Sequence, residues 1–281
     1  MTKILALIDG SVYSKSITGI AAWAAGRLGL PVEIAHVLGR RIATNFDLSG
    51  RLDANARTAL LKEMADLDEQ HGKLAQQKGR AILDGARADA AANGPDVSTK
   101  LRNGDLLNAL ADLEVDAEIV VIGKRGEAAD FAKLHLGSNL ERVVRASQKP
   151  VLVAARAYQP FEHFLIAYDG GKSASRAVDY AVASPLLKGL KCTILSVGED
   201  TPENRSRLEA PALRLREAGF DVTSILERGD PDEIIGRHVE TAGIGLLVMG
   251  AYGHSRIRRL VIGSTTTELV RRCKIPVLMF R

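Results

Sequence analysis

Short apolar runs rich in β-branched residues alternate along this chain with longer stretches whose apolar positions recur every three or four residues. Residues 3–8, 32–38, 97–101, 117–122 and 151–154 read as buried strands. Between the first two, residues 14–28 set Ile17, Ile20, Ala21, Ala24 and Leu28 on one helical face, and Gly29 ends the helix. Residues 105–113 and 138–146 read as further helices. One stretch is out of proportion. From Leu52 to about Ala92, the residues Leu60, Met64, Leu67, His71, Leu74 and Lys78 recur at three- and four-residue steps, while Gly72, Gly79 and Gly85 predict a break into two helical pieces.

The same order then runs a second time. Strands are expected at 164–168, 192–197, 221–226, 245–249 and 277–280, with helices at 173–187, 204–218, 231–241 and 265–272. Landmarks align in sequence. Ile8-Asp9-Gly10 matches Tyr168-Asp169-Gly170, Gly104-Asp105 matches Gly229-Asp230, Gly123 matches Gly250, and Pro150-Val151-Leu152-Val153 matches Pro276-Val277-Leu278-Met279. A repeat this long is a duplicated domain, not a solenoid unit. The joint is expected at Tyr158-Gln159-Pro160-Phe161, since proline interrupts both regular structures. This divides the chain into 1–157 and 158–281, the first carrying a long helical insertion at about 50–94. Strands alternating with helices imply parallel sheets covered on both faces, so the fold class is α/β, in two tandem domains.

Composition narrows the class without changing it. With 281 residues, 46% hydrophobic and 26% charged, the chain reads as an ordinary globular protein large enough for two cores. A net charge of +4 and only 4% aromatic residues argue against a nucleic-acid partner. No apolar run approaches the roughly 18 residues needed to span a bilayer, and the N-terminus enters a strand without a signal-peptide pattern. Cys192 and Cys273 lie in apolar surroundings and are expected to be packing residues in a cytoplasmic protein.

Candidate chemistry sits beyond the carboxyl ends of the strands, where open parallel sheets bind ligands. In the second copy, Leu246-Leu247-Val248-Met249 runs into Gly250 and Gly253; nine residues later Gly263-Ser264-Thr265-Thr266 opens a helix. Glycines let the backbone approach an anion, and the N–H groups of a helix start face it with the favourable end of the dipole. The first copy offers Gly123 and Gly126, then ten residues, then Gly137-Ser138-Asn139. If the first and fourth strands of each copy are neighbours, Asp9 and Asp169 converge with these glycines on one crevice.

Gly250-x-x-Gly253-x9-Gly263-Ser264 with the strand-end Asp169 resembles the ATP-binding pattern of the universal stress proteins, and the resemblance covers nearly the whole chain as a tandem member. It implies five-stranded domains of strand order 3-2-1-4-5 and ATP, with or without Mg2+, across the crevice. Asp169 would receive the adenosine end, Ala167, Val197 and Met249 would line the base, and the amides of Gly250, Gly253 and Gly263 would wrap the phosphates. Hydroxyls of Ser264 and Thr266 would donate to them, beside Thr265. The matching first-copy positions are Leu7, Asp9, Val37, Ile122, Gly123, Gly126, Gly137 and Ser138.

The first copy departs from the pattern in its spacer and in its charges. Glu127 and Asp130 follow Gly126, whereas Arg256, Arg258 and Arg259 follow Gly253 and offer further phosphate contacts. Carboxylates repel a triphosphate and arginines attract it. The second copy is therefore the principal expected site. Each feature also has a plain structural use: Asp9 and Asp169 as turn formers, the glycines as tight turns, Ser264 and Thr265 as caps, the arginines as a solvated face.

Gly171-Lys172-Ser173 lacks the earlier glycine of a phosphate loop, since Ile166 stands there, and neither copy has the dinucleotide fingerprint. The six histidines form no HExxH, no serine sits in a nucleophile elbow, and His36 reads as a packed or hydrogen-bonded residue. The expectation is an ATP-binding stress-response regulator, at most a weak ATPase. Two alternatives stay open: a slow ATP hydrolase or phosphotransfer enzyme, and a nucleotide-free assembly scaffold. The apolar final strands should bring the two copies together with pseudo-twofold symmetry, as the resemblance also implies. The long helical stretch would cover one site or support a homodimer.

Overall fold

A computed structural model describes residues 1–39, 54–92, 94–126, 138–251 and 269–281. The first half folds as β1 (Lys3–Ile8), α1 (Ser14–Leu28), β2 (Val32–Leu38), α2 (Ala54–Ala91), β3 (Val97–Asn103), α3 (Leu106–Leu113), β4 (Ala117–Gly123), α4 (Ser138–Ala146) and β5 (Val151–Ala154). The second half repeats this as β6 (His163–Ala167), α5 (Lys172–Ala183), β7 (Lys191–Val197), α6 (Pro202–Glu217), β8 (Val222–Glu227), α7 (Pro231–Thr241), β9 (Leu246–Gly250) and β10 (Val277–Phe280). Residues 269–272 are helical before β10. Punctuation behaves as local chemistry dictates. Gly29 closes α1 in the left-handed conformation (φ 66°) with its N–H on Ala25 O. The aligned aspartates Asp105 and Asp230 cap α3 and α7 through backbone N–H groups two residues on.

The ten strands among the described residues form one sheet, in the order β3-β2-β1-β4-β5-β10-β9-β6-β7-β8. Each half thus has the expected 3-2-1-4-5 order, and every pairing within a half is parallel. The final strands join the two copies as expected, at the centre of the sheet: β5 and β10 pair antiparallel, with Leu278 opposite Leu152. Both strands are buried along their length, so exposing either edge would put apolar side chains and unpaired amides into water. One apolar layer, including Ile4, Ile34, Leu152, Phe164, Ile194 and Leu278, runs under α1, α2, α5 and α6 across both halves. The opposite layer includes Leu7, Ile122, Leu165 and Met249 and packs against α3, α4 and α7.

The long insertion corrects the expected break. α2 is a single helix of 38 residues. Gly79 does not interrupt it; a Cβ there would lie 2.7 Å from Leu101 Cδ1 and 3.2 Å from His36 Cδ2, so glycine lets the helix close onto β2 and β3. Gly72 and Gly85 face open space, and the helix absorbs their propensity penalty through its length and its packed C-terminal part.

Cations from each half cap helix ends of the other. Lys124, just past β4, donates from Nζ to Cys273 O and, at 3.1 Å, to Ile275 O, at the end of the last helix of the second half. Arg281 donates to Arg145 O at the end of α4. Both place positive charge at the negative end of a helix dipole. Burial pulls the Lys124 ammonium down from 10.5 to about 8, opposed by Cys273 and reinforced by the neighbouring Arg125. Because the folded state holds this proton less tightly than the unfolded chain, the penalty is full below pH 8 and vanishes as pH rises toward 10.5. Stability of the wild type relative to Lys124→Met is expected to rise by about 3 kcal/mol across that window, in urea denaturation at a series of pH values. Taking the difference removes the buried Cys192 thiol, pushed up to about 12, which titrates in both proteins with the opposite sign, and leaves Lys124 together with the Cys273 thiol whose burial-raised pKa it lowers.

Candidate functional site

The crevice is built at the carboxyl ends of the strands on either side of each half's centre. β1 and β4 are neighbours, with Leu7 opposite Ile122, and β6 and β9 repeat this with Ala167 opposite Met249. Leu7, Val37 and Ile122 share one face of the sheet, and so do Ala167, Val197 and Met249. The floors differ. Leu7 is buried whereas Ala167 is half-buried, so the smaller side chain leaves the second floor more open.

Asp9 and Asp169 come one and two residues after their strands. Each forms the expected turn: Asp9 Oδ1 accepts from Ser11 N at 3.0 Å, and Asp169 Oδ1 accepts from Gly171 N at 2.8 Å. The turn role does not hide the second carboxylate, which stays exposed. In the first half Gly126, after β4, comes back against Asp9. A Cβ on Gly126 would lie 2.6 Å from Asp9 Oδ2, so this glycine and this carboxylate are in close contact.

Gly123 and Gly250 are required by packing before any ligand is considered. A Cβ on Gly123 would meet Tyr13 Cβ at 2.9 Å; one on Gly250 would meet Ser173 Cβ at 2.9 Å and the Ala174 nitrogen at 3.1 Å. Each strand end therefore touches the start of the helix that follows the first strand of its half. For Gly250 this brings the N-terminal turn of α5, capped at Gly171, to the crevice rim beside Asp169.

Arg207 is a residue the sequence reading missed. Its Cδ sits 2.8 Å from where a Cβ of Gly170 would be, which puts a guanidinium-bearing side chain over the turn next to Asp169. At the matching place in the first half, Ile82 Cδ1 lies 2.6 Å from a Cβ of Gly10. One rim carries an Arg207–Glu203 ion pair at 2.9 Å and the other is apolar. The alignment of Ile82 with Arg207 was the available signal, and the unequal lengths of α2 and α6 obscured it.

Ser138 opens α4. Gly137 of the first half, and Gly253, Arg256, Arg258, Gly263, Ser264, Thr265 and Thr266 of the second, lie outside the described residues. His36 is buried and shares a 2.8 Å hydrogen bond between Nδ1 and Ile8 O, the structural use expected for it. Cys192 and Cys273 are buried and free. Among the described residues, no group of His, Cys, Asp and Glu side chains is arranged to hold a metal ion, and no helix is long and apolar enough to cross a membrane.

Comparison with known proteins places the duplicated fold. The model of the universal stress protein family matches residues 1–155 and again 160–281. A universal stress protein of Synechocystis sp. is 37% identical over 287 residues, covering 100% of both chains. One from Mycolicibacterium smegmatis is 23% identical over 302 residues, covering 99% of this chain and 96% of that one. Among solved structures, a universal stress protein from Archaeoglobus fulgidus superposes with a TM-score of 0.72 at 22% identity, covering 99% of this chain and 98% of the other.

Proposed function

The chain belongs to the universal stress protein family, and we propose that within it this protein is an ATP-binding regulator of the stress response whose nucleotide sits mainly in the second half. In this reading the chain has two units, dividing near residue 157, and the second holds the working site. Asp169 takes the adenosine end, and Ala167, Val197 and Met249 form the wall against the base. Backbone amides of Gly250, Gly253 and Gly263 surround the phosphates, with the hydroxyls of Ser264 and Thr266, the neighbouring Thr265 and the charges of Arg256 and Arg258. The first half offers Leu7, Asp9, Val37, Ile122, Gly123, Gly126, Gly137 and Ser138 as the weaker counterpart.

The single observation that supports this allocation is the contrast at the two strand ends. Asp169 is exposed beside Arg207, whose guanidinium is shared with the exposed Glu203 and can be recruited by an anion, whereas Asp9 is in contact with Gly126 beside an apolar rim at Ile82. A polyanion gains from the first arrangement and little from the second. Function as a regulator follows by population shift: nucleotide held by Gly253 and Gly263 changes the surface offered to a partner, by no more than its differential affinity for the two states.

The test is calorimetric titration of the purified chain with ATP, alongside a phosphate-release assay at saturating ATP. Saturable binding dominated by one site per chain, with phosphate release at background, is the expected result. Release well above background moves the protein to the hydrolase class. No binding at millimolar ATP by folded protein overturns the reading.

A further inference from the structure

The N-terminal part of α2 carries an apolar stripe that the fold does not use. Its C-terminal part is packed, with Leu83, Ala86 and Ala90 buried against the sheet layer. Between residues 58 and 74, by contrast, every described side chain is exposed except Met64, which is half-buried. Leu60, Leu61, Leu67 and Leu74 are 37%, 49%, 48% and 60% exposed. Their spacing is not scattered. Leu60, Met64, Leu67, His71 and Leu74 alternate steps of four and three, the 3.5-residue repeat that a helix needs to keep one seam against another helix. Single exposed leucines need no explanation; a heptad seam about 20 Å long does.

We propose that this seam is a self-association surface, on which two copies of the chain pair their α2 helices as an antiparallel coiled coil. Self-complementarity and charge point to a second copy as the occupant. With Met64 set against the partner's Leu67, the twofold axis repeats that layer, and Leu60 falls against the partner's His71, so each central layer contains apolar surface from both or one side. The flanking positions select the direction. Glu63 and Asp68 border the seam and are both exposed. A parallel pair would set Glu63 against the partner's Asp68 twice, carboxylate on carboxylate. The antiparallel register sets Glu63 beside the partner's Gln70 and Asp68 beside the partner's Leu61, removing both repulsions. From Thr58 to Lys78 the helix runs about 30 Å, and two such helices face to face bury on the order of 1,000 Å², the scale of a specific interface. The edges that join β5 to β10 are already consumed within one chain, so this surface is separate from the sheet seam.

Sedimentation equilibrium on the full chain, from about 1 to 100 μM, tests the proposal. A particle of twice the 30.2 kDa chain mass is expected, with Leu67→Glu weakening the dimer by about 100-fold or more while the chain keeps its folded circular-dichroism spectrum. Mixing Met64→Cys chains with Leu67→Cys chains under oxidation should give a crosslinked pair, with Cys192 and Cys273 buried and silent. A chain that stays monomeric at 100 μM, or a dimer that survives Leu67→Glu, overturns the surface. Gln77→Cys chains that crosslink to each other overturn the antiparallel direction, because that register holds the two positions about 35 Å apart.

Discussion

Leu278→Ala is expected to destabilise the protein by about 3 kcal/mol, and Leu152→Ala by a similar amount. Both side chains are fully buried, face each other across β5 and β10, and belong to the apolar layer that runs through both halves. Truncation removes transfer free energy and leaves a cavity that a ten-stranded sheet, paired on both sides of the seam, has little freedom to collapse. Because the two leucines share that cavity, the double variant should depart from additivity by about 1 kcal/mol. Urea denaturation of the four proteins reads this directly. Losses under 0.5 kcal/mol would mean that the seam is not where the halves are held.

Gly263→Asp is expected to lower ATP affinity by about 100-fold or more with little change in fold stability. The substitution puts a methylene where the backbone should approach the phosphates, and a carboxylate where they carry their charge. At about 4 Å with an effective dielectric near 20, one such repulsion is about 4 kcal/mol, and water at the crevice mouth reduces it. Asp169→Ala, which removes one polar contact to the adenosine end, should lose only about 10-fold. The ranking matters as much as the sizes. Equal affinity in wild type and Gly263→Asp, measured by titration, would reject the spacing argument for this loop.

Most of the fold was legible because burial on two faces leaves an unmistakable sequence signature. Strands such as Leu246–Gly250 are continuous apolar runs, helices such as Pro231–Thr241 begin at an aspartate and a proline, and the second copy repeats the first. The errors have particular causes. Gly79 looked like a helix breaker because propensity is a local quantity, while its use is a contact with Leu101 and His36 from strands distant in sequence. The final strands were legible as the joint between the copies, yet that they become the middle of one continuous sheet shows only with the partner half in place. Lys124 was invisible for the same reason: its carbonyl partners are about 150 residues away, at Cys273 and Ile275. At the crevice, the sequence named Asp169, Ala167, Val197, Met249 and Gly250, and the strand order brings their strands side by side. It did not name Arg207, whose place depends on how α6 lies over the turn at Gly170.

Everything about function turns on whether an adenine nucleotide occupies the second half. The most direct measurement is to denature the purified chain and quantify what it releases, by ultraviolet absorbance and chromatography, for the wild type and for Gly263→Asp. Close to one adenine nucleotide per chain from the first, and almost none from the second, is the predicted outcome. Nothing released from the wild type, with no uptake on incubation in millimolar ATP, would contradict it.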